Sequence, residues 1–232
     1  LAEKTGLISP LTRWMIDQAL RFQDRLREQG CAAGVSINLS SSSLLEPEFL
    51  VQLQTLLEQH GTAAGELMLE ITDSGFSGGS NDSLIRQTLI ELSKMGVHLA
   101  LDNFGSSHHS LAGIRDLPLN EVMIAREFIQ RMSAHKEDAT IVRTTVEMCH
   151  QLGFHTVATG VEDAATVKAL QQVGCGFAQG YHISRPLPAD EALLWLQQRS
   201  GGVRPSDGSG TARHKAPAPQ PLSAPSQKPD QP

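Results

Sequence analysis

Three polar residues recur at one interval. Asn38, Glu70 and Asp102 stand 32 residues apart and then 32 again. Each closes a short apolar segment, in SINLS, LMLEIT and LALDN. An amide and two carboxylates at the ends of successive segments mark a candidate active site. Taken singly, each is equally a helix cap or a solvated loop residue. The shared register weakens that reading, since independent caps need not recur at one spacing.

The elements that would position them alternate. Leu11, Trp14, Met15, Ala19, Phe22 and Leu26 follow helical spacing, with Gly30 as a stop. Val35, Ile37 and Leu39 alternate as a strand, and a helix is predicted over 47–60. Leu67, Leu69 and Ile71 form the next strand, followed by a helix over 83–95 and the strand VHLALDN. Further strands are predicted over 121–125, 155–159 and 176–179, with helices over 136–152, 164–173 and 189–198. Strands alternating with helices imply parallel strands and right-handed crossovers. No glycine-rich dinucleotide fingerprint follows a strand. Polar residues at successive strand ends, one per unit of about 32 residues, fit a TIM-like (β/α) barrel, whose active sites lie at that face. Such a barrel needs eight strands and six are legible, so an N-terminally incomplete barrel is expected.

Composition bounds the rest. The chain has 232 residues, 40% hydrophobic and 19% charged, with a formal net charge of −6. That charge argues against a general DNA binder. No apolar run approaches the roughly 18 residues of a membrane helix, and no signal peptide is expected at the start. Cys31, Cys149 and Cys175 are too scattered for a disulfide framework, which fits a reducing cytoplasm. Residues 200–232 hold seven of the twelve prolines and carry +2, leaving −8 on residues 1–199. With one leucine and no aromatic residue, this tail is expected to be disordered, and 1–199 to be the folded domain.

Seven motifs then fall in order: SINLS, LEITD, LALDNFGSSHHSL, LPLNEVMIAREFI, VATGVED, GCGFAQGYHISRPLP and LLWL. In this they resemble EAL domains, the bacterial cyclic di-GMP phosphodiesterases and their inactive relatives. The resemblance covers about residues 1–198 and implies a modified TIM barrel. The strands bearing the Glu-Ala-Leu motif would precede LAEKTGLI. It also implies hydrolysis of one phosphodiester bond to pGpG by two Mg²⁺ or Mn²⁺ ions.

Carried over residue by residue, Asn38, Glu70, Asp102 and Glu162 match retained metal-site positions, and Gln179 matches a retained mouth residue. Four positions depart from the family. Asn103 replaces the second aspartate of Asp-Asp-Phe-Gly, and Met123 the lysine of Leu-Lys-Ile-Asp. Ala125 replaces the aspartate of that same motif, and Thr159 the glutamate of Ala-Glu-Gly. Arg126 follows the lost aspartate and could hold a phosphate or a carboxylate. Loss of one catalytic group commonly lowers a rate by orders of magnitude. The expectation is therefore a non-enzymatic, regulatory member acting on other signalling proteins, with no intact two-metal cofactor site. A metal-free cyclic di-GMP receptor is the alternative, and a residual phosphodiesterase comes third. A fragment without a stable role is the bland fourth reading, and a homodimer is compatible with any of them.

The remaining features have simpler readings. His108 and His109 are read as a solvated loop, since a third metal ligand is not evident. Ser40–Ser43 are read as a helix-cap cluster, and Cys149 and Cys175 as small core residues. The Pro-rich tail is read as a plain flexible segment.

Overall fold

A computed structural model of the chain describes residues 7–72, 81–106 and 114–200. The loop with His108 and His109 and the tail beyond Ser200 lie outside the described residues. In chain order the main elements are α1 (Ile8–Glu28), β1 (Val35–Leu39), α2 (Ser41–Leu44), α3 (Phe49–His60) and β2 (Leu67–Thr72). Then follow α4 (Asp82–Lys94), β3 (His98–Phe104), β4 (Glu121–Ile124), α5 (Arg126–Arg131) and α6 (Lys136–Leu152). Last come β5 (His155–Ala158), α7 (Ala164–Gln172), β6 (Phe177–Ala178) and α8 (Ala189–Ser200).

The six strands form one sheet in sequence order, every neighbouring pair parallel. This is the wall of a (β/α) barrel, as expected. The period-two alternation of the strands sets its two faces. Leu67, Leu69, Ile71, Leu99, Leu101 and Val122 point outward under the helices and are essentially inaccessible. Each contributes about 1.5–3 kcal/mol of burial free energy. Met68, Ala100, Met123 and Val157 form a separate, smaller apolar group on the opposite face. Glu70 and Asp102 share that inner face, because they alternate with the outward residues of their own strands.

Helix ends follow local chemistry. Asp163 caps α7, its Oδ1 accepting from the Thr166 N–H at 2.7 Å. Gly153 ends α6 at φ 81°, and the Phe154 N–H then reaches the Cys149 carbonyl at 2.8 Å. Ser40 caps α2 by accepting from the Ser42 N–H at 3.3 Å, as the serine run suggested. Cys149 is fully buried, as expected, whereas Cys175 is only partly so.

One expectation is corrected and two short helices are added. The α1 face is rotated: Thr12, Ile16, Leu20, Gln23 and Leu26 are buried, while Leu11, Trp14 and Met15 are exposed, Trp14 at 59%. The helix carries two apolar stripes, and periodicity alone does not say which one meets the core. The helix expected over 47–60 is present as α3, and the short α2 precedes it at the serine run, before Pro47. Helix α5 was not anticipated. Its six residues carry only Ile129 as a fully buried position, too short for a periodic signal.

Candidate functional site

The mouth is built where the strands end. β1 brings Asn38 level with Glu70 of β2, its registered partner, and Thr72 of β2 registers with Asp102 of β3. Asn38, Glu70, Asp102, Met123, Arg126, Thr159, Glu162 and Gln179 all line one cavity of about 320 Å³. Eight of the ten positions singled out in the sequence are thus neighbours. The other two do not line it.

Asn103 is one of these. It takes a left-handed φ of 64°, within a bulge where β3 spends one more residue than β4 between the pairs Leu101–Val122 and Phe104–Ile124. Asparagine is among the few residues with a side chain that adopt this backbone readily. Its side chain is exposed. Ala125 is the other, 1% exposed, with its N–H donating to the Phe104 carbonyl.

Glu70 accepts a hydrogen bond from the Ser36 hydroxyl at 2.5 Å. Burial pushes its carboxyl above the usual range, the Ser36 bond opposes this, and nearby Asp102 adds to it. Burial raises Asp102 as well, opposed by the Asn103 backbone N–H. Deeper in, Glu121 is raised by burial and by Glu70, while His155 works the other way. Among the described residues, no cationic side chain offsets the burial of Glu70 or Asp102. Met123, 5% exposed, lies with Met68, Ala100 and Val157 at the floor, where an ammonium group would have supplied charge.

Glu162 is engaged elsewhere. It accepts from Arg126 Nη2 at 2.5 Å and from Gln130 Nε2 at 2.8 Å. Arg126 is therefore an ion-pair partner here, one of its two expected roles. Thr159 turns its hydroxyl into the sheet, donating to the Ile124 carbonyl at 2.8 Å. Gln179 is held by its backbone: its N–H donates to the Ala158 carbonyl and its carbonyl accepts from the Val161 N–H.

Five residues missed in the sequence line the mouth or contact residues that do. Ser36 shares a strand face with Asn38, and Gln130 lies one helical turn from Arg126; spacing could have found both. Tyr181 lines the cavity, and Arg185 lies 4.7 Å from its ring centroid. Gly160 lies under Arg126 at φ 73°; a Cβ there would sit 2.2 Å from Arg126 Cγ.

A pair of dications makes a specific demand on the donor set. Two such ions about 3.5–4 Å apart need several anionic oxygens around them. The mouth offers Glu70, Asp102 and the neutral Asn38, with Glu162 tied to Arg126. Among the described residues, no three His, Cys, Asp or Glu side chains group so as to hold a metal ion. The described residues do not fit a two-metal site.

Fold and mouth together define a TIM-like barrel whose polar cavity lies at the carboxyl ends of parallel strands. The chain belongs to the EAL domain family, whose profile matches residues 1–186. It is 35% identical over 195 residues to the bifunctional diguanylate cyclase/cyclic di-GMP phosphodiesterase MucR of Pseudomonas aeruginosa, covering 83% of this chain and 28% of that protein. It is 30% identical over 191 residues to the signaling protein YkoW of Bacillus subtilis, covering 82% of this chain and 24% of that one. The chain thus spans about a quarter of the length of these relatives. Among solved structures, the PaMucR phosphodiesterase in complex with c-di-GMP superposes with a TM-score of 0.78 at 32% identity, over 82% of this chain and 77% of that one. The EAL domain of Mycobacterium smegmatis DcpA gives a TM-score of 0.77 at 28% identity, over 83% and 86%. No helix among the described residues is long and apolar enough to cross a membrane.

Proposed function

We propose that this chain is a non-catalytic EAL domain that acts in cyclic di-GMP signalling through contacts with other signalling proteins, in the cytoplasm. The observation that carries this reading is the divergence between core and mouth. The outward core of β2, β3 and β4 is completely buried, while Met123, Ala125 and Thr159 have been absorbed into packing and backbone hydrogen bonding. A domain decaying without a role would lose core and mouth alike. A domain kept for its surface keeps the core.

The same mouth supports a second reading, a metal-free receptor for cyclic di-GMP. Arg126 and Gln179 line a cavity of about 320 Å³, and the PaMucR domain that superposes on this chain was solved with c-di-GMP. Against it stand Glu70 and Asp102, which would face a dianionic ligand without an intervening cation. Calorimetric titration of the chain with cyclic di-GMP, without divalent metal, separates the two. Absence of heat at high ligand concentration is the expected result. Binding at about micromolar Kd, near 8 kcal/mol, would make the receptor the better account.

A further inference from the structure

His60 stands in the last turn of α3, with its side chain 13% exposed. Its two ring nitrogens face two different carboxylates of α1. Nδ1 is 2.6 Å from Asp24 Oδ2, and Nε2 is 3.3 Å from Asp17 Oδ1. A neutral imidazole has one N–H, so either tautomer leaves a lone pair facing a carboxylate oxygen. Only the imidazolium donates to both. The dipole at the helix carboxyl end favours the same cation.

We propose that His60 is a proton-operated clamp between α1 and α3. It is closed while the imidazolium bridges Asp17 and Asp24, and it loosens when the ring becomes neutral. On α1, Asp17 also accepts from Arg21 at 2.8 Å and from Gln18 at 3.2 Å, and Asp24 pairs with Arg27 at 3.4 Å. Arg27 also reaches Thr62 at 3.3 Å and Glu66 at 3.1 Å, beyond the end of α3. On α3 itself, Glu58 accepts from Gln54 at 2.9 Å. On α4, which also packs against α3, Lys94 pairs with Glu91 at 2.8 Å.

The hydrogen bond to Asp24 raises the His60 pKa above its ordinary value of 6.5, with burial opposing and Asp17 assisting. For a group raised on folding, the added stability is fully present below the unfolded value and is lost as pH rises through the folded one. The clamp is therefore shut on the acid side of neutrality. It joins the helix that precedes β1 to one that follows it, and β1 carries Asn38 into the mouth.

The test is an NMR titration of the assigned histidine ring resonances of the full chain. His60 is expected to titrate above 6.5, and the Asp24→Asn variant to shift it downward. In melts of wild type and His60→Gln, the wild-type advantage in Tm is expected to be larger at about pH 6 than at about pH 8.5. A His60 titrating at or below the ordinary imidazole value would overturn the clamp, as would a Tm difference that does not vary with pH. If His60→Gln fails to fold, the wild-type titration decides alone.

Discussion

Arg126 and Glu162 meet at 2.5 Å across the mouth, and the stem of Arg126 lies on Gly160. The contact needs the missing side chain. At φ 73°, a Cβ would stand 2.2 Å from Arg126 Cγ. Gly160→Ala is expected to destabilise the fold by about 1–3 kcal/mol and to separate Arg126 from Glu162. Urea unfolding measures the loss. Glu162→Gln should lose less than about 1 kcal/mol, because that ion pair is half exposed. Equal losses in the two variants would show that the backbone strain is not the larger effect.

Thr159 tests whether its position has become structural. Its hydroxyl donates to the Ile124 carbonyl, joining the ends of β4 and β5. Thr159→Val keeps the shape and removes the donor. The expected loss is roughly 1 kcal/mol in chemical denaturation. An unchanged midpoint would mean that this hydrogen bond does not secure the strand ends.

Glu70 carries a pH signature. Its folded pKa is raised, chiefly by burial, so the fold favours the neutral acid. Wild-type stability therefore falls as pH rises from the ordinary glutamate value through the raised one. Glu70→Gln removes that loss and can still accept from Ser36. The variant should melt above wild type at about pH 7.5, and the gap should close near pH 4. A gap independent of pH would sink this reading.

Thiol chemistry checks the packing of α6. Burial pushes the Cys149 thiol up to about 12, with Cys175 adding to the shift. In the native state Cys149 should resist a thiol-modifying reagent at neutral pH and become modified only on unfolding. Mass spectrometry of the labelled peptides reads the outcome. Rapid native labelling of Cys149 would contradict its burial.

Much of this was legible in the sequence because parallel strands between helices give strong local signals. β2 was recovered from Leu67, Leu69 and Ile71, and α6 over 136–152, its stop marked by Gly153. The 32-residue recurrence located Asn38, Glu70 and Asp102 because a barrel unit repeats at nearly constant length. What was not legible depends on tertiary partners. Which stripe of α1 is buried depends on where β1 and α3 lie, so Trp14 is exposed although its spacing predicts burial. Asn103 leaves the mouth because of a β3–β4 bulge, and a bulge is a property of two strands. The pairing of Glu162 with Arg126 and Gln130 joins residues 36 and 32 positions apart. Neither spacing nor resemblance chooses between that pairing and a metal.

With Glu70, Asp102 and a neutral Asn38 at the mouth, two dications should not be held side by side. Manganese binding followed by electron paramagnetic resonance tests it most directly, with Glu70→Gln as the control. Neither protein should show high-affinity Mn²⁺ or a spin-coupled pair. Two Mn²⁺ ions per chain at about micromolar affinity, spin-coupled and abolished by Glu70→Gln, would contradict it.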